Sequence, residues 1–500
     1  MFSGSGKAPL RPNLAVFVVT GSAVSNGYVF REKEKKKRKE VTGLKRKLAA
    51  AVALLLFLCS GCGLVGFNTQ DLMRPPKPTG EKSEIQRVFE EQAGDQITLK
   101  YPQKGDYRSA IIMHDLNRDG SEEAILFYRP DGENMGTHLM VIAKVDGSWT
   151  ALRDFTDQDA EVDRVFFEDL NGDGIKEIIV GWSVYTGASN RLAVYAYDGR
   201  SGVAQIPCED SYSEIFVHDF NGDGIKEILI AAVSGANSIG NNAEAVSAAQ
   251  AKLISFNQAA TALVLMGSAS LDPTVTRYGS SAVGTISPGQ TGVVLDGVRP
   301  GSAYISELVY WDNAQNKLVA PLSSKEMSSL NATLRSTAVV SNDINGDGVI
   351  DLPVMSRLPG YADAAADTAN YLTSWNNYDP QGKTLVYQFS MVANYTDGYY
   401  FILPDEWRTV VTVKSDAKVK TLTFHEWVTN DQGVGVMGAA LLRFEVFTRS
   451  EWQSGGHTDP FFLVGEQGDK VFAAFLPQPD HSLSLSEAEV RERFQLTTTG

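Results

Sequence analysis

The phrase DFNGDGIKE, residues 219–227, decides the fold, because it recurs as DLNGDGIKE from Asp169, DLNRDGSEE from Asp115 and DINGDGVID from Asp343. Each copy has oxygen-bearing side chains at positions 1, 3 and 5, a glycine at position 6 and a carboxylate at position 9. Each then runs straight into an apolar stretch: ILIAA, IIVGW, AILFY and LPVMS respectively. Alternate oxygen side chains in a tight loop wrap around one point, which suits calcium, a hard cation that takes about six to eight oxygens. The glycine permits a sharp turn that a Cβ would obstruct. Metal-free Asn-Gly or Asp-Gly turns have no need of carboxylates at positions 1, 5 and 9, where they would repel one another without a cation between them.

A second strand signal, ending in an aromatic and a turn, follows each phrase after a variable loop. These strands read HLMVIAKVDG near Val141, RLAVYAYDG near Val194, AKLISFNQ near Ile254, SELVYWDN near Val309 and YLTSWNNYD near Trp375. Five strands against four phrases point to a unit whose phrase has decayed. Aligning VVLDGV (Val293–Val298) with IIVGW places GTISPGQTG, Gly284–Gly292, at the loop position, with Gly289 kept as the turn residue and every carboxylate gone. The units then begin at residues 115, 169, 219, 284 and 343, spaced 54, 50, 65 and 59 residues apart. Periods of this size carrying several short strands predict propeller blades rather than helical solenoids. A blade cannot bury both faces alone, so neighbours must stack.

The phrase resembles the DxNGDGxxE loop of the integrin-type FG-GAP, or VCBS, repeat family, over roughly residues 100–390. The resemblance implies an all-β fold: a β-propeller of calcium-loop blades, five clear and up to seven with the C-terminal region, holding structural calcium in the hairpin loop between two strands of a blade. Carried over position by position, the implied ligands are Asp115, Asn117, Asp119 and Glu123 in the first loop, and Asp169, Asn171, Asp173 and Glu177 in the second. The third loop supplies Asp219, Asn221, Asp223 and Glu227, and the fourth Asp343, Asn345, Asp347 and the shorter Asp351. Position 7 (Ser121, Ile175, Ile225, Val349) would offer only its carbonyl, which accounts for apolar residues there. Extracellular modules hold calcium with Kd of about 0.1–1 mM, so such loops fill outside the cell. His114 and His218 precede two of the loops, but Glu168 and Asn342 hold the same place in the others, so this is a polar slot of the repeat and not a catalytic pair.

The start of the chain sets the compartment. In KRKLAAAVALLLFLCSGCG, Lys45–Lys47 form a basic n-region and Leu48–Cys59 an apolar run too short to span a bilayer, as in a signal peptide. The ending CSGC resembles a bacterial lipobox, which marks Cys62 for lipidation as the mature N-terminus, although Cys59 replaces the usual Leu. The purine-codon-compatible run REKEKKKRKE, residues 31–40, reads as a translated ribosome-binding site before a true start at Val41; the alternative is a solvated basic tail. Residues 1–61 are therefore expected to be an upstream extension plus signal peptide. Residues 62–96 would be a lipid-anchored tether with a short helix, 97–390 the propeller, and 391–500 a C-terminal β-rich domain or closing blades. The formal net charge of −15 argues against nucleic acid as a partner, and three Cys in 500 residues offer no disulfide framework.

Beyond residue 391 strand signals continue without the phrase, in YYFIL, TVVTV, TLTFHEWV, LLRFEVF, FFLVG and KVFAAFL, before a serine-capped helix at SEAEVRERF. Three Glu-Trp pairs occur there: Glu406–Trp407, Glu426–Trp427 and Glu451–Trp452. Tryptophan beside a carboxylate can make a carbohydrate platform or a glycosidase pair, or the tryptophans can pack a core. No HExxH, GxSxG or Cys–His arrangement appears. The expected function is a calcium-stabilised binding or scaffold module on the outer face of a bacterial membrane, with a protein or glycan partner. The alternative is an envelope glycan hydrolase using C-terminal carboxylates.

Overall fold

Six antiparallel sheets follow one another along the chain in a computed structural model. It describes residues 80–497 apart from 95, 133–135, 158–159, 185–188, 209, 236–247, 324–330, 367 and 456–458. Cys62, the leader and most of the tether lie outside the described residues.

In the first sheet β1 (Ile97–Leu99) and β2 (Ile111–His114) pair with β3 (Glu123–Pro130), followed by β4 (Thr137–Val145) and β5 (Ser148–Asp157). The second runs β6 (Ala160–Glu168), β7 (Glu177–Val184) and β8 (Asn190–Tyr197), with β9 (Val203–Ile206) and β10 (Ser211–Tyr212) on the far edge of β8. The third is β11 (Glu214–His218), β12 (Glu227–Ala232), β13 (Gln250–Phe256) and β14 (Leu263–Ser270). The fourth is β15 (Arg277–Ser287), β16 (Gln290–Val298), β17 (Tyr304–Asp312) and β18 (Lys317–Val319). The fifth contains β19 (Leu352–Arg357), β20 (Tyr371–Asp379), β21 (Thr384–Asn394) and β22 (Tyr399–Ile402). The sixth orders β23 (Val411–Asp416), β24 (Thr421–Thr429), β25 (Gly435–Thr448), β27 (Lys470–Phe475) and β26 (Phe462–Gln467). The last strand, β28 (Phe494–Leu496), returns to pair with β22.

Successive sheets pack face to face, and this explains why the strand after each loop reads as an unbroken apolar run. Ile125 and Phe127 of the first sheet meet Val165 and Val180 of the second, whose Ile179 and Val194 meet Ile228 and Ile230 of the third. Leu229 and Leu253 then meet Val293 and Trp311 of the fourth, and Val294 and Leu308 meet Leu352 and Tyr378 of the fifth. Val392 and Phe401 of the fifth pack on Phe424 and Phe444 of the sixth. A strand covered on both faces has no solvent side to alternate with.

Helices cover the two outer faces. In α1 (Glu81–Ala93) the helical spacing of Ile85, Val88 and Phe89 buries all three against Leu126, Tyr128 and Met140 of the first sheet. Beyond the sixth sheet, Trp452 of α2 (Arg449–Ser454) packs with Phe461 against Phe447, Val471 and Ala473. The helix α3 (Glu487–Arg493) begins with the expected serine, Ser486, in a full capping box with Glu489. Among the described residues, no helix is long and apolar enough to cross a membrane. No hydrophobic cluster among them joins the sixth sheet to the first.

Two expectations need correction. The boundary at residue 390 falls inside β21, and residues 391–500 supply the end of the fifth sheet, all of the sixth, and β28, which adds back onto the fifth. The one hydrophobic cluster of Val392, Phe401, Phe424 and Phe444 spans that boundary, so the C-terminal region is not a core of its own. The decayed loop is also much shorter than GTISPGQTG. Gly284–Ser287 belong to β15 and Gln290–Gly292 to β16, leaving Pro288 and Gly289 as the turn. Gly289 has φ +74°, the positive φ that the residue after the proline takes in a Pro-Gly turn, where glycine is preferred.

Candidate metal centre

All four phrases form the connection between antiparallel neighbours. The flanking pairs are His114 with Glu123, Glu168 with Glu177, His218 with Glu227, and Asn342 with Asp351. In the fifth sheet the first strand shrinks to that last bridge, leaving β19 at the edge, where Pro353 is tolerated.

Each loop is folded by its own side chains, in the manner of successive Asx turns. In the third, Asp219 accepts the N–H of Gly222 at 2.7 Å and of Gly224 at 2.8 Å. Asn221 Oδ1 accepts Asp223 N–H at 2.8 Å, Asp223 Oδ1 accepts Ile225 N–H at 2.8 Å, and Glu227 Oε2 accepts Phe220 N–H at 2.9 Å. The second loop repeats this set with Asp169, Asn171, Asp173 and Glu177, and the fourth with Asp343, Asn345, Asp347 and Asp351. In the first loop Asp115, Asn117, Asp119 and Glu123 accept the corresponding bonds from Gly120, Asp119, Ser121 and Leu116.

In the third loop these bonds leave the remaining carboxylate oxygens facing one another. Asp219, Asp223 and Glu227 each bring an oxygen within 4.8 Å of the others. The amide nitrogen of Asn221 lies between two of them, 2.9 Å from Asp223 Oδ2 and 2.7 Å from Glu227 Oε1. As oriented, each position-3 asparagine thus shows a donor to the carboxylates, and its oxygen reaches a cation only through its second lone pair or by rotation of the amide. Asp115 Oδ1 and Asp351 Oδ1 are buried with no hydrogen-bond partner. Burial, and then repulsion from Asp173 and Asp169, pushes Glu177 up to about 7 despite the bond from Leu170. Glu227 is likewise pushed to about 7 and Asp351 to about 6; Glu123 is raised by the same causes. Orphaned buried oxygens and mutually repelling carboxylates, all of them hard donors, fit a hard cation.

The loops are also tied to their neighbours, through residues that the sequence reading passed over. Lys176, at position 8 of the second loop, donates its N–H to Leu116 O of the first at 2.8 Å, and its ammonium lies 2.9 Å from His114 Nε2. Lys226, at position 8 of the third, pairs with Glu168 at 2.7 Å. The polar slots before the first and second loops therefore receive the position-8 lysines of the second and third. The repeated Ile-Lys-Glu of these two phrases was the available signal. Position 7 has a packing role besides its carbonyl. Ile225 closes on Gly172, and Ile175 on Gly199, where an added Cβ would stand 3.0 and 2.9 Å from the respective isoleucine.

Residues 169–230 match the family model of FG-GAP-like repeats. The matched stretch contains the second and third loops and the second sheet from β7 onward, without β6. No curated protein matches the chain. Two solved structures overlap it loosely. One is rhamnogalacturonan lyase YesW, 12% identical, covering 76% of this chain and 91% of that one with a TM-score of 0.27. The other is Sqt1 of Saccharomyces cerevisiae, 9% identical, covering 76% and 97% with a TM-score of 0.29. Overlaps at that level carry no argument about this chain.

The three Glu-Trp pairs do not form one constellation. Trp407 is fully buried, with its ring nitrogen on Leu483 O, and Trp452 packs on Phe447. Glu451 closes the capping box of α2 with Thr448. Glu426 on β24 lies opposite Gly438 and Ala439 of β25, some nine residues short of Thr448, which at strand rise is about 30 Å. Glycosidase carboxyl pairs stand about 5–10 Å apart, so Glu426 and Glu451 cannot make one.

Proposed function

We propose that the chain is a calcium-stabilised array of propeller-type blades, anchored through Cys62 at the outer face of a bacterial membrane. It serves there as a non-catalytic binding or scaffold module for an extracellular protein or glycan. The observation that carries the calcium reading is the hydrogen-bond design shared by the four loops, in which backbone N–H groups fix one side of each carboxylate, together with the third loop, where the free oxygens of Asp219, Asp223 and Glu227 converge. The sheets succeed one another as blades do, and the cores between them support that architecture. Repeat arrays need polar caps on their terminal units, and α1 and α2 supply these on the first and sixth sheets.

At millimolar calcium a site with Kd near 0.1 mM adds about 1.4 kcal/mol, so four such sites contribute about 5 kcal/mol, comparable to a domain's whole margin. The test is thermal unfolding of the mature chain. EDTA should lower Tm and millimolar calcium, but not equal magnesium, should restore it. A Tm indifferent to EDTA rejects the calcium reading. The anchor is tested separately: Cys62→Ser should move the protein from the membrane to the soluble fraction.

A further inference from the structure

Where the fifth and sixth sheets meet, a cleft of about 510 Å³ opens, away from the four acidic loops. Its walls are irregular: the turn after β21, the hairpin between β23 and β24, and the connection leading into β20. Tyr371 and Tyr395 give it two aromatic faces. The Tyr371 ring is fixed, because its hydroxyl accepts from Ser336 at 3.1 Å and donates to Ala366 O at 3.3 Å. Tyr395 stands 56% exposed at the mouth, while burial of its hydroxyl end, near Arg335, pushes its pKa up to about 12. Asn370, Thr396 and Ser415 also line the cleft and make no side-chain hydrogen bond among the described residues. The carboxylate of Asp397 is held by Asn394 at 2.9 Å, and Asp416 accepts the N–H of Lys418 at 2.9 Å.

This inventory selects a ligand class. With Asp397 and Asp416 against the single cation Lys420, the walls disfavour a polyanion. Uncommitted amide and hydroxyl groups would be left unpaired by a lipophilic ligand, at a cost in affinity. Flat rings beside neutral hydrogen-bonding groups match a sugar ring, which has apolar C–H faces and a rim of hydroxyls. We propose that the cleft binds a neutral saccharide, stacked on Tyr395 with its hydroxyls on Asn370, Thr396 and Ser415. The proposal rests on the reading of the chain as a binding module and gives that module its ligand class.

The test uses the full mature chain in saturating calcium. Cellotetraose, chitotetraose and mannotetraose serve as neutral probes and tetragalacturonate as the charged control, with binding read by saturation-transfer NMR and calorimetry. At least one neutral probe should bind more tightly than tetragalacturonate, and Tyr395→Ala should weaken it by about tenfold or more. Tyr395 is exposed, so the variant should keep the parental Tm. Ser415→Trp, which fills the cleft from another wall, supplies an independent block. Absence of binding by all three neutral probes overturns the proposal, as does binding that survives both substitutions or a preference for tetragalacturonate. An EDTA-sensitive Tm without saccharide binding rejects the cleft and leaves the calcium reading intact; saccharide binding with an EDTA-indifferent Tm does the reverse.

Discussion

Replacing Glu227 by Gln should stabilise the protein in EDTA and destabilise it in calcium. In the folded, metal-free loop burial and the nearby Asp223 and Asp219 lift this carboxyl from its ordinary 4.5 to about 7. A carboxyl whose folded value is raised contributes stability that is fully present below 4.5 and is lost as pH rises through about 7. At pH 8 the loss is complete. A rise of this size corresponds to about 3 kcal/mol, and we take ~2 kcal/mol because solvent reaches the exposed Asp223 side of the loop. Gln keeps an oxygen for the 2.9 Å bond from Phe220 N–H and removes the charge. The expected gain in EDTA at pH 8 is therefore ~2 kcal/mol, a Tm rise of roughly 2–5 °C, shrinking towards zero at pH 4.5. In millimolar calcium the sign should reverse, since the variant has lost a ligand. The same reasoning makes calcium affinity of the parent fall as pH drops below about 7 and protons compete at Glu177 and Glu227. Differential scanning calorimetry of both proteins, with and without calcium, decides it. A Glu227→Gln variant less stable than its parent in both conditions would refute the argument, because the loop would then contain no repulsion for a cation to relieve.

Three further outcomes concern the frame. Gly181→Ala should cost about 2–4 kcal/mol in denaturant unfolding, because the new Cβ would lie 1.8 Å from Tyr212 Oη and displace its 2.8 Å bond to Asp163; an unchanged midpoint would contradict the packing of β7 on β10. Arg335→Met should cost about 3–5 kcal/mol by stranding Asp296, whose side chain is 2% exposed, whereas pairing it with Asp296→Leu should recover most of the loss; equal damage from single and double variants would rule out an uncompensated charge as the cause. Arg118, at φ +60°, stands where the other loops carry Gly172, Gly222 and Gly346, so Arg118→Gly should raise calorimetric stability by about 0.5–1 kcal/mol, and a loss would mean that Arg118 makes a favourable contact elsewhere.

The parts of this fold that were legible in the sequence are those governed by local rules. Four loops, the apolar strand after each, the third strands near Val141, Val194, Ile254, Val309 and Trp375, the first helix and the serine cap of the last helix all follow from turn chemistry and periodicity. What escaped was set by contacts distant in sequence. Nothing local says that Phe494–Leu496 will pair with Tyr399–Phe401, so the boundary at 390 looked plausible where the motif stopped. The buried Arg335–Asp296 pair, 39 residues apart, has no signature, because an arginine in a loop is ordinarily solvated. The decayed loop was located but its length misjudged, since GTISPG reads equally as loop or as strand when glycine and serine occupy a ladder. The carboxylates of the candidate centre could be named one by one from the phrase. That the oxygens of Asp219, Asp223 and Glu227 converge depends on backbone N–H groups, which a sequence does not display.

The ties between loops explain how one unit could lose its carboxylates without breaking the array. At position 8 the backbone reaches back to the preceding sheet. Lys176 N–H bonds to Leu116 O inside an acidic loop, whereas Ile350 N–H bonds at 2.9 Å to Thr285 O on β15, beside the carboxylate-free hairpin at Gly289. The acceptor is a main-chain carbonyl in both cases, so the preceding unit need only present a strand end in register. On the proposed calcium reading, a cation would act within its own loop, by neutralising that loop's carboxylates. Its influence on the next sheet would pass through position 8, where the side chain of Ile350 also closes on Gly284 of the fourth sheet, and through the packing of the position-7 isoleucines of the second and third loops. Any stability that calcium supplied would therefore be local to each loop, while the register between sheets is carried by the main chain, and the hairpin at Pro288–Gly289 needs only the second of these.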